Sequence, residues 1–208
     1  MPKIRWSKIA LFVACLMPAF WLGWRAWGGE LTANPIEYIT HFTGDWAIRF
    51  IVFTLAVTPL RKLLHAPGLI RYRRMIGLFA FFYAGLHFLT WFAIDKYFDM
   101  HEILADFTKR RFIIAGLVAF VCLIPPAVTS TAGWIRRLGG KRWQLLHRSI
   151  YMTAIAAVIH YYWLVKSDIR LPLLYGVLVG LALLYRLGSW SMGRREPVKH
   201  VAAAAINR

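Results

Sequence analysis

The sequence predicts an all-α, polytopic membrane protein, and two properties of the chain indicate this class. Of its 208 residues, 59% are hydrophobic, and the mean hydropathy is +0.52. A soluble domain of this size could not bury so many apolar side chains. The apolar residues also form runs close to the about 20 residues that a helix needs to cross about 30 Å of hydrocarbon. The predicted fold is therefore a bundle of transmembrane helices.

Six such runs can be delimited, with short connections between them. They cover residues 9–27, 46–64, 75–94, 112–129, 149–165 and 171–190. The first run follows basic residues, as a signal peptide does, but it ends in Trp24, Arg25 and Trp27 rather than at a small-residue cleavage site, so we interpret it as a retained helix. The chain is predicted to form a six-helix membrane domain at 9–190, between cytoplasmic segments at 1–8 and 191–208.

The distribution of charge predicts the orientation of this bundle. The formal net charge of +17 would indicate nucleic-acid binding in a soluble protein, but here 18 of the 26 Lys and Arg residues fall on one side of the predicted bundle. They lie in the N-terminal segment, the second and fourth connections and the C-terminal segment, together with Arg61, Lys62 and Arg186 at the adjoining span ends. Eight of the nine acidic residues fall on the opposite side. Because basic residues stay on the cytoplasmic side, both termini are predicted to be cytoplasmic. The basic face is expected to meet anionic lipid headgroups, and no nucleic-acid partner is expected.

Three histidines fall in or next to the apolar runs, where an unpaired imidazole is costly and a functional role is the default hypothesis. The third and fifth spans run in the same direction, and His87 lies about 18 Å beyond Met75 while His160 lies about 20 Å beyond His147. His87 and His160 are therefore predicted at one depth in the outer half of the bilayer, as axial ligands of one haem iron. His147 marks a second, inner level; 13 residues of helix rotate it off the face of His160.

Another interpretation of these three histidines stays open, and the remaining histidines carry weaker signals. A single histidine in a membrane helix also serves as a hydrogen-bonding contact between helices. His41, in HFTGDWAIRF, is placed just outside the second span and is a candidate for facing a partner protein. His65, His101 and His200 are expected on the solvated surface.

Four segments resemble the ferric-reductase-like transmembrane family, in the same order and spacing. They are HFTGDWAIRF (41–50), RYRRMIGLFAFFYAGLHF (71–88), TSTAGWIRRLGGKRWQLLHRSIY (129–151) and HYYWLVK (160–166). The family places two haem-ligating histidines on the third helix and two on the fifth, and His87, His147 and His160 occupy three of these positions. At the fourth stands Arg73, a poor iron ligand while protonated. The resemblance therefore leaves open a five-coordinate or unusually ligated inner haem, another group at this level, or an outer haem alone. For Arg73 itself we prefer a basic residue that sets the topology or a partner of haem propionates.

The resemblance also implies a function. It implies one or two haem b groups, FMN as a family cofactor, and a bacterial inner-membrane location. Related eukaryotic reductases carry a C-terminal flavin and nicotinamide domain, but this sequence has no nucleotide-binding motif. Electrons are therefore expected from the quinone pool or a cytosolic flavin reductase. The implied acceptor is a periplasmic, molybdenum-containing methionine sulfoxide reductase subunit.

The first hypothesis is an electron conduit without catalytic residues of its own. A self-contained ferric or quinone reductase is the alternative within the same fold. From a different class, a small metal or proton transporter would show acidic residues at mid-membrane and repeated halves, and neither pattern is visible in the sequence.

Overall fold

A computed structural model describes residues 6–193 of the chain, with side chains up to residue 190. Every regular element in this range is helical, so the all-α prediction is confirmed. The α-helices are α1 (Trp6–Trp27), α2 (Pro35–Leu63), α3 (Ile70–Leu89), α4 (Met100–Lys109), α5 (Arg111–Val128), α6 (Ala132–Leu146), α7 (Ser149–Leu164) and α8 (Arg170–Gly193). A 3₁₀ turn, Pro67–Leu69, precedes α3, and a π-helical segment, Thr90–Asp95, continues it.

The six predicted spans correspond to α1, α2, α3, α5, α7 and α8. Four helical stretches are long and apolar enough to cross a membrane: Trp6–Trp27, Pro67–Asp95, Arg111–Val128 and Arg170–Trp190. Helix α2 also carries Asp45 and Arg49, and α7 has only 16 residues. The chain is thus a multi-pass membrane protein, while the count of six spans and the side of the termini stay predictions. Residues 1–5 and 194–208, with His200 and most of both predicted cytoplasmic segments, lie outside the described residues.

The second helix begins 11 residues before the predicted span. The Asn34 side chain accepts a hydrogen bond from the Glu37 backbone N–H, and Pro35 occupies the first turn, where its missing N–H costs nothing. Hydropathy locates the apolar part of a helix, whereas capping residues locate its start. The placement of His41 outside this helix was therefore wrong, because His41 lies within α2.

His147 is also placed differently from the prediction, which assigned it to the same helix as His160. The inner connection contains the amphipathic helix α6, which is interrupted at Gly139 (φ 73°) and has His147 as its C-cap residue. Helix α7 begins only at Ser149. His147 thus lies in the turn between α6 and α7 and not on α7 itself.

Two closely packed helix pairs, α2 with α3 and α5 with α7, form the centre of the bundle. Their buried contact residues include Phe50, Leu55, Ala80 and Ala154. Outer helices keep apolar side chains exposed, as on α8, where a stripe at helical spacing faces away from the protein; in a membrane protein this surface contacts lipid. Each central pair carries one of the two outer histidines.

The first helix is attached to the centre through Tyr83. The Tyr83 hydroxyl accepts a hydrogen bond from the Ala19 backbone N–H and donates one to the Cys15 carbonyl, at 3.0 and 2.9 Å. These two groups would ordinarily bond to each other along α1, next to Pro18. The buried hydroxyl therefore satisfies both groups at the proline and fixes α1 against α3.

Candidate functional site

A cavity of about 600 Å³ lies between α2, α3, α5 and α7. Its wall is mostly apolar, and the two histidines His87 and His160 lie on it. Polar residues gather at the end of the cavity where α2 begins and the π-helical segment ends: Glu37, His41, Asp45, Asp95 and Arg110. The cavity is thus an apolar space in the bundle with a polar mouth.

The structure brings His87 and His160 together across this cavity. Their ring centroids are 5.9 Å apart, and their ring planes are inclined at 80°. The two side chains come from α3 and α7, which belong to different central pairs. The two histidines that residue counting predicts at one depth are thus neighbours in the structure.

Hydrogen bonds define the tautomer of both rings. His87 Nδ1 lies 2.8 Å from the Thr40 carbonyl oxygen, and His160 Nδ1 lies 2.7 Å from the Phe112 carbonyl oxygen. Since a carbonyl oxygen can only accept, Nδ1–H is the donor in each contact. In a neutral imidazole this leaves Nε2 with a free lone pair, the arrangement in which proteins present histidine to a metal.

At the inner level, His147 makes the same kind of contact. Its Nδ1 donates to the Trp143 carbonyl oxygen at 3.0 Å, and its ring packs on the Trp143 ring with centroids 3.8 Å apart. Its Nε2 is buried and has no hydrogen-bond partner, although the Pro126 carbonyl lies near the ring. Buried polar atoms normally have a partner, so this nitrogen is a candidate ligand atom.

Arg73 and Arg186 approach the same inner level. Arg73, in the first turn of α3, interacts electrostatically with His147, Tyr151 and Arg186. No hydrogen bond or ion pair joins its half-buried guanidinium to another described residue. The sequence-predicted pair His147 and Arg73 is therefore brought together, beside a second cation.

Arg186 is the functional candidate that the sequence analysis missed. Its guanidinium donates to the Tyr151 hydroxyl at 2.6 Å and to the Leu55 carbonyl at 3.0 Å, and its buried Nε has no partner. The charge distribution alone predicts only that Arg186 is one of the basic residues of the inner side. An arginine inside the apolar run LALLYRLG is itself a signal, because a charge in a span is costly unless it binds something.

His41 lies at the mouth of the cavity and is half exposed. Its Nε2 is 3.7 Å from Glu37 Oε1, one helical turn earlier. It neither approaches the inner level nor contacts His87 directly. Its suggested role towards a partner protein stays a prediction.

The fold and the cavity define a multi-helix membrane protein with two adjacent imidazoles inside the bundle, both with Nδ1 bonded to a carbonyl; proteins of this class present Nε2 to a metal-containing group. Residues 43–158 match the family described as ferric reductase like transmembrane component. The chain belongs to this family, and the resemblance seen in the sequence is confirmed.

Curated relatives are similar to almost the whole chain. A protein from Herminiimonas arsenicoxydans is 48% identical over 94% of this chain and 90% of its own length. Proteins from Rhodospirillum rubrum (49% identical; 88% of both chains) and Caulobacter vibrioides (44% identical; 91% of this chain and 89% of the relative) are comparably similar. All three are named protein-methionine-sulfoxide reductase heme-binding subunit MsrQ. No solved structure matches the chain.

Proposed function

We propose that this chain is the haem-binding membrane subunit of a protein-methionine-sulfoxide reductase system, and that it conducts electrons rather than catalysing sulfoxide reduction. The observation that carries the proposal is the pair His87 and His160, adjacent on the wall of one cavity and each oriented by a carbonyl at Nδ1. The names of the relatives support it.

The residues at the outer level fit haem b. A metal–imidazole nitrogen bond is about 2.0 Å long and the ring centre lies roughly 1 Å behind the nitrogen, so two axial imidazoles place their ring centres about 6 Å apart. The observed separation of 5.9 Å agrees with this value. The cavity volume of about 600 Å³ lies within the about 300–1,000 Å³ common for cofactor sites. The sequence has no C-x-x-C-H motif, so attachment would be non-covalent.

The chain's own residues then explain the chemistry. A haem bound here would supply a one-electron carrier. His87 and His160 would both bind the iron, and a haem held by two histidines suits outer-sphere electron transfer. The carbonyl partners of both Nδ1–H groups fix the orientation of the imidazoles and, in the neutral ring, leave Nε2 as the nitrogen that can bind a metal.

At the inner level we propose a second haem, with His147 as an axial ligand. Its support is the buried Nε2 without a partner and the two neighbouring arginines. Arg73, whose guanidinium makes no ion pair or hydrogen bond among residues 6–190, is the cation proposed to bind the haem propionates. No described residue is assigned to FMN, which we place only as an electron donor to this level.

The donor and acceptor follow from the proposed orientation in the bacterial inner membrane. Basic residues cluster on the side of His147 and Arg73, so this side is proposed to face the cytoplasm and to receive electrons from quinol or a cytosolic flavin reductase. The outer cavity mouth would then face the periplasm and the molybdenum-containing subunit MsrP. A cysteine introduced at Asp99 should react with a membrane-impermeant maleimide in intact spheroplasts; reaction only after lysis would reverse the proposed direction of electron flow.

Stopped-flow absorbance of the purified protein tests the function. We expect b-type bands that appear on mixing with reduced flavin or quinol, but not with NADH alone, and that disappear when MsrP and a methionine sulfoxide substrate are added. Absence of b-type haem would refute the proposal. Haem that is reduced but not reoxidised by MsrP would instead favour the self-contained ferric or quinone reductase.

A further inference from the structure

Each outer histidine lies against a glycine of the neighbouring helix. A Cβ atom built on Gly44 of α2 would lie 3.0 Å from Nδ1 and Cε1 of His87. One built on Gly116 of α5 would lie 2.7 Å from Nδ1 and 2.9 Å from Cε1 of His160. Real Cβ atoms do not approach other atoms as closely as 2.7 Å, so at Gly116 the ring occupies space that any side chain would take.

The same helix also supplies the hydrogen-bond acceptor, four residues earlier. His87 donates to the carbonyl of Thr40 and contacts Gly44, whereas His160 donates to the carbonyl of Phe112 and contacts Gly116. Residues four apart lie one above the other on a helix face. In both pairs, therefore, one turn of the neighbouring helix presents a carbonyl followed by a gap, and the Nδ1–Cε1 edge of the imidazole lies in it.

We propose that Gly44 and Gly116 are positioning residues for the axial ligands, a proposal that rests on the proposed haem function. An alanine methyl would push the imidazole away from its carbonyl, because the atoms it meets belong to the ring edge that makes the hydrogen bond. The carbonyl and glycine together thus direct Nε2 into the cavity and fix the plane of each ring. If each ring plane is fixed by its neighbouring helix, the 80° angle between the rings is set by how the pairs α2–α3 and α5–α7 pack together.

The angle gives the proposal a spectroscopic readout. In low-spin ferric haem, perpendicular axial imidazoles give a highly anisotropic electron paramagnetic resonance (EPR) signal with a large gmax, whereas parallel imidazoles give an ordinary rhombic signal. We expect the outer haem of the wild-type protein to show the first kind of signal.

The experiment compares Gly116→Ala and Gly44→Ala in the full-length protein by haem content and EPR of the oxidised form. Gly77→Ala is the matched control, because its Cβ would also lie between α2 and α3 but would meet only the Thr54 side chain, at an ordinary 3.6 Å. We expect Gly116→Ala to lose outer haem or shift gmax strongly, Gly44→Ala to shift it less, and Gly77→Ala to match the wild type. If Gly116→Ala fails to accumulate as a monodisperse protein, the comparison of Gly44→Ala with Gly77→Ala decides.

The outcomes separate this proposal from the function on which it rests. Wild-type protein without haem would overturn both. Wild-type protein that holds haem, with Gly116→Ala and Gly44→Ala indistinguishable from Gly77→Ala in haem content and gmax, would overturn the positioning role alone. A rhombic wild-type signal would contradict the fixed perpendicular planes.

Discussion

The basic side chains at the outer and inner ends of the bundle have different partners. At the outer end, cations lie opposite carboxylates: Lys96 Nζ is 3.2 Å from Asp106 Oδ2, and Arg49 is 3.8 Å from Asp45. At the inner end, Arg186 bonds to a hydroxyl and a carbonyl, and Arg73 has no ion-pair partner among the described residues. Lys96 and Arg49 are thus compensated by carboxylates within the protein, whereas Arg73 and Arg186 have no carboxylate partner among the described residues and could meet an added anionic group.

The histidines differ in the same way. His87 and His160 form a pair with equivalent carbonyl partners, so under the proposed function the outer level would supply both protein ligands. His147 is the single imidazole at the inner level, with an unsatisfied Nε2. The outer level would therefore recognise its cofactor through metal ligation on two sides, and the inner level through one ligand and electrostatic attraction.

The largest effect is expected when the outer pair is broken. His87→Ala or His160→Ala should abolish the outer haem, because the remaining imidazole is a single tether in an apolar cavity. Haem content by the pyridine haemochrome assay measures this, with the exposed His101→Ala as control. Normal haem content in both variants would eliminate the proposed ligand pair.

A smaller loss is expected at the inner level. His147→Ala should remove the inner cofactor and slow reduction by quinol, while the outer haem keeps its EPR signal, since the two levels use separate residues. EPR and haem stoichiometry together report this. Should His147→Ala strip all haem while His160→Ala strips none, the assignment of the two levels would be reversed.

Arg73→Gln tests whether the free cation at the inner level acts on a ligand. Its guanidinium makes no hydrogen bond or ion pair with another described residue, so the folded protein should lose no stability. A charged hydrogen bond to an anionic group is worth about 1.5–3 kcal/mol, and its loss should weaken binding or slow reduction by at least about tenfold. Arg136→Gln, which removes an exposed charge of the inner helix α6, is the control. If both changes have equal effects, Arg73 has no specific role in binding and contributes only to the general positive charge of the inner side.

The outer level could be predicted from the sequence because depth depends only on counting. His87 and His160 lie at similar distances along two spans of the same direction, and tertiary packing then brings them together. Their carbonyl and glycine neighbours could not be predicted, because these depend on the rotation of α2 and α5 about their axes. That rotation is set by packing rather than by hydropathy.

The inner level was harder to predict for a different reason. His147 is directed by α6, a short amphipathic helix broken at the positive φ of Gly139. Such a helix has no apolar run that marks its ends. By contrast, the start of α2 was readable from Asn34 and Pro35, a capping pair that hydropathy alone overlooks.

The smallest predicted effect concerns the compensated charges of the outer end. Lys96 lies between Asp95, Glu102 and Asp106, and its side chain is 13% exposed. Lys96→Met leaves Asp106 with Arg110 as its remaining partner, at 3.5 Å. We expect a loss of about 1–3 kcal/mol in the free energy of unfolding, with haem content and EPR unchanged, and no such loss for the exposed Lys109→Met.

The pH dependence of the same cluster sharpens the contrast with Arg73. Burial alone would lower the pKa of Lys96, but the hydrogen bond and charge of Asp106, with Asp95 and Glu102, outweigh burial and raise it. A raised lysine pKa gives stability that is complete below the unfolded value of about 10.4 and is lost as the pH rises through the folded pKa. Thermal unfolding in detergent should therefore show a constant difference between the wild type and Lys96→Met from pH 6 to about pH 9, which narrows above about pH 10. A stability difference that vanished near neutral pH would contradict the raised pKa of Lys96. A change in the haem signal of Lys96→Met would mean that the outer charges act on a bound group, as the inner ones are proposed to do.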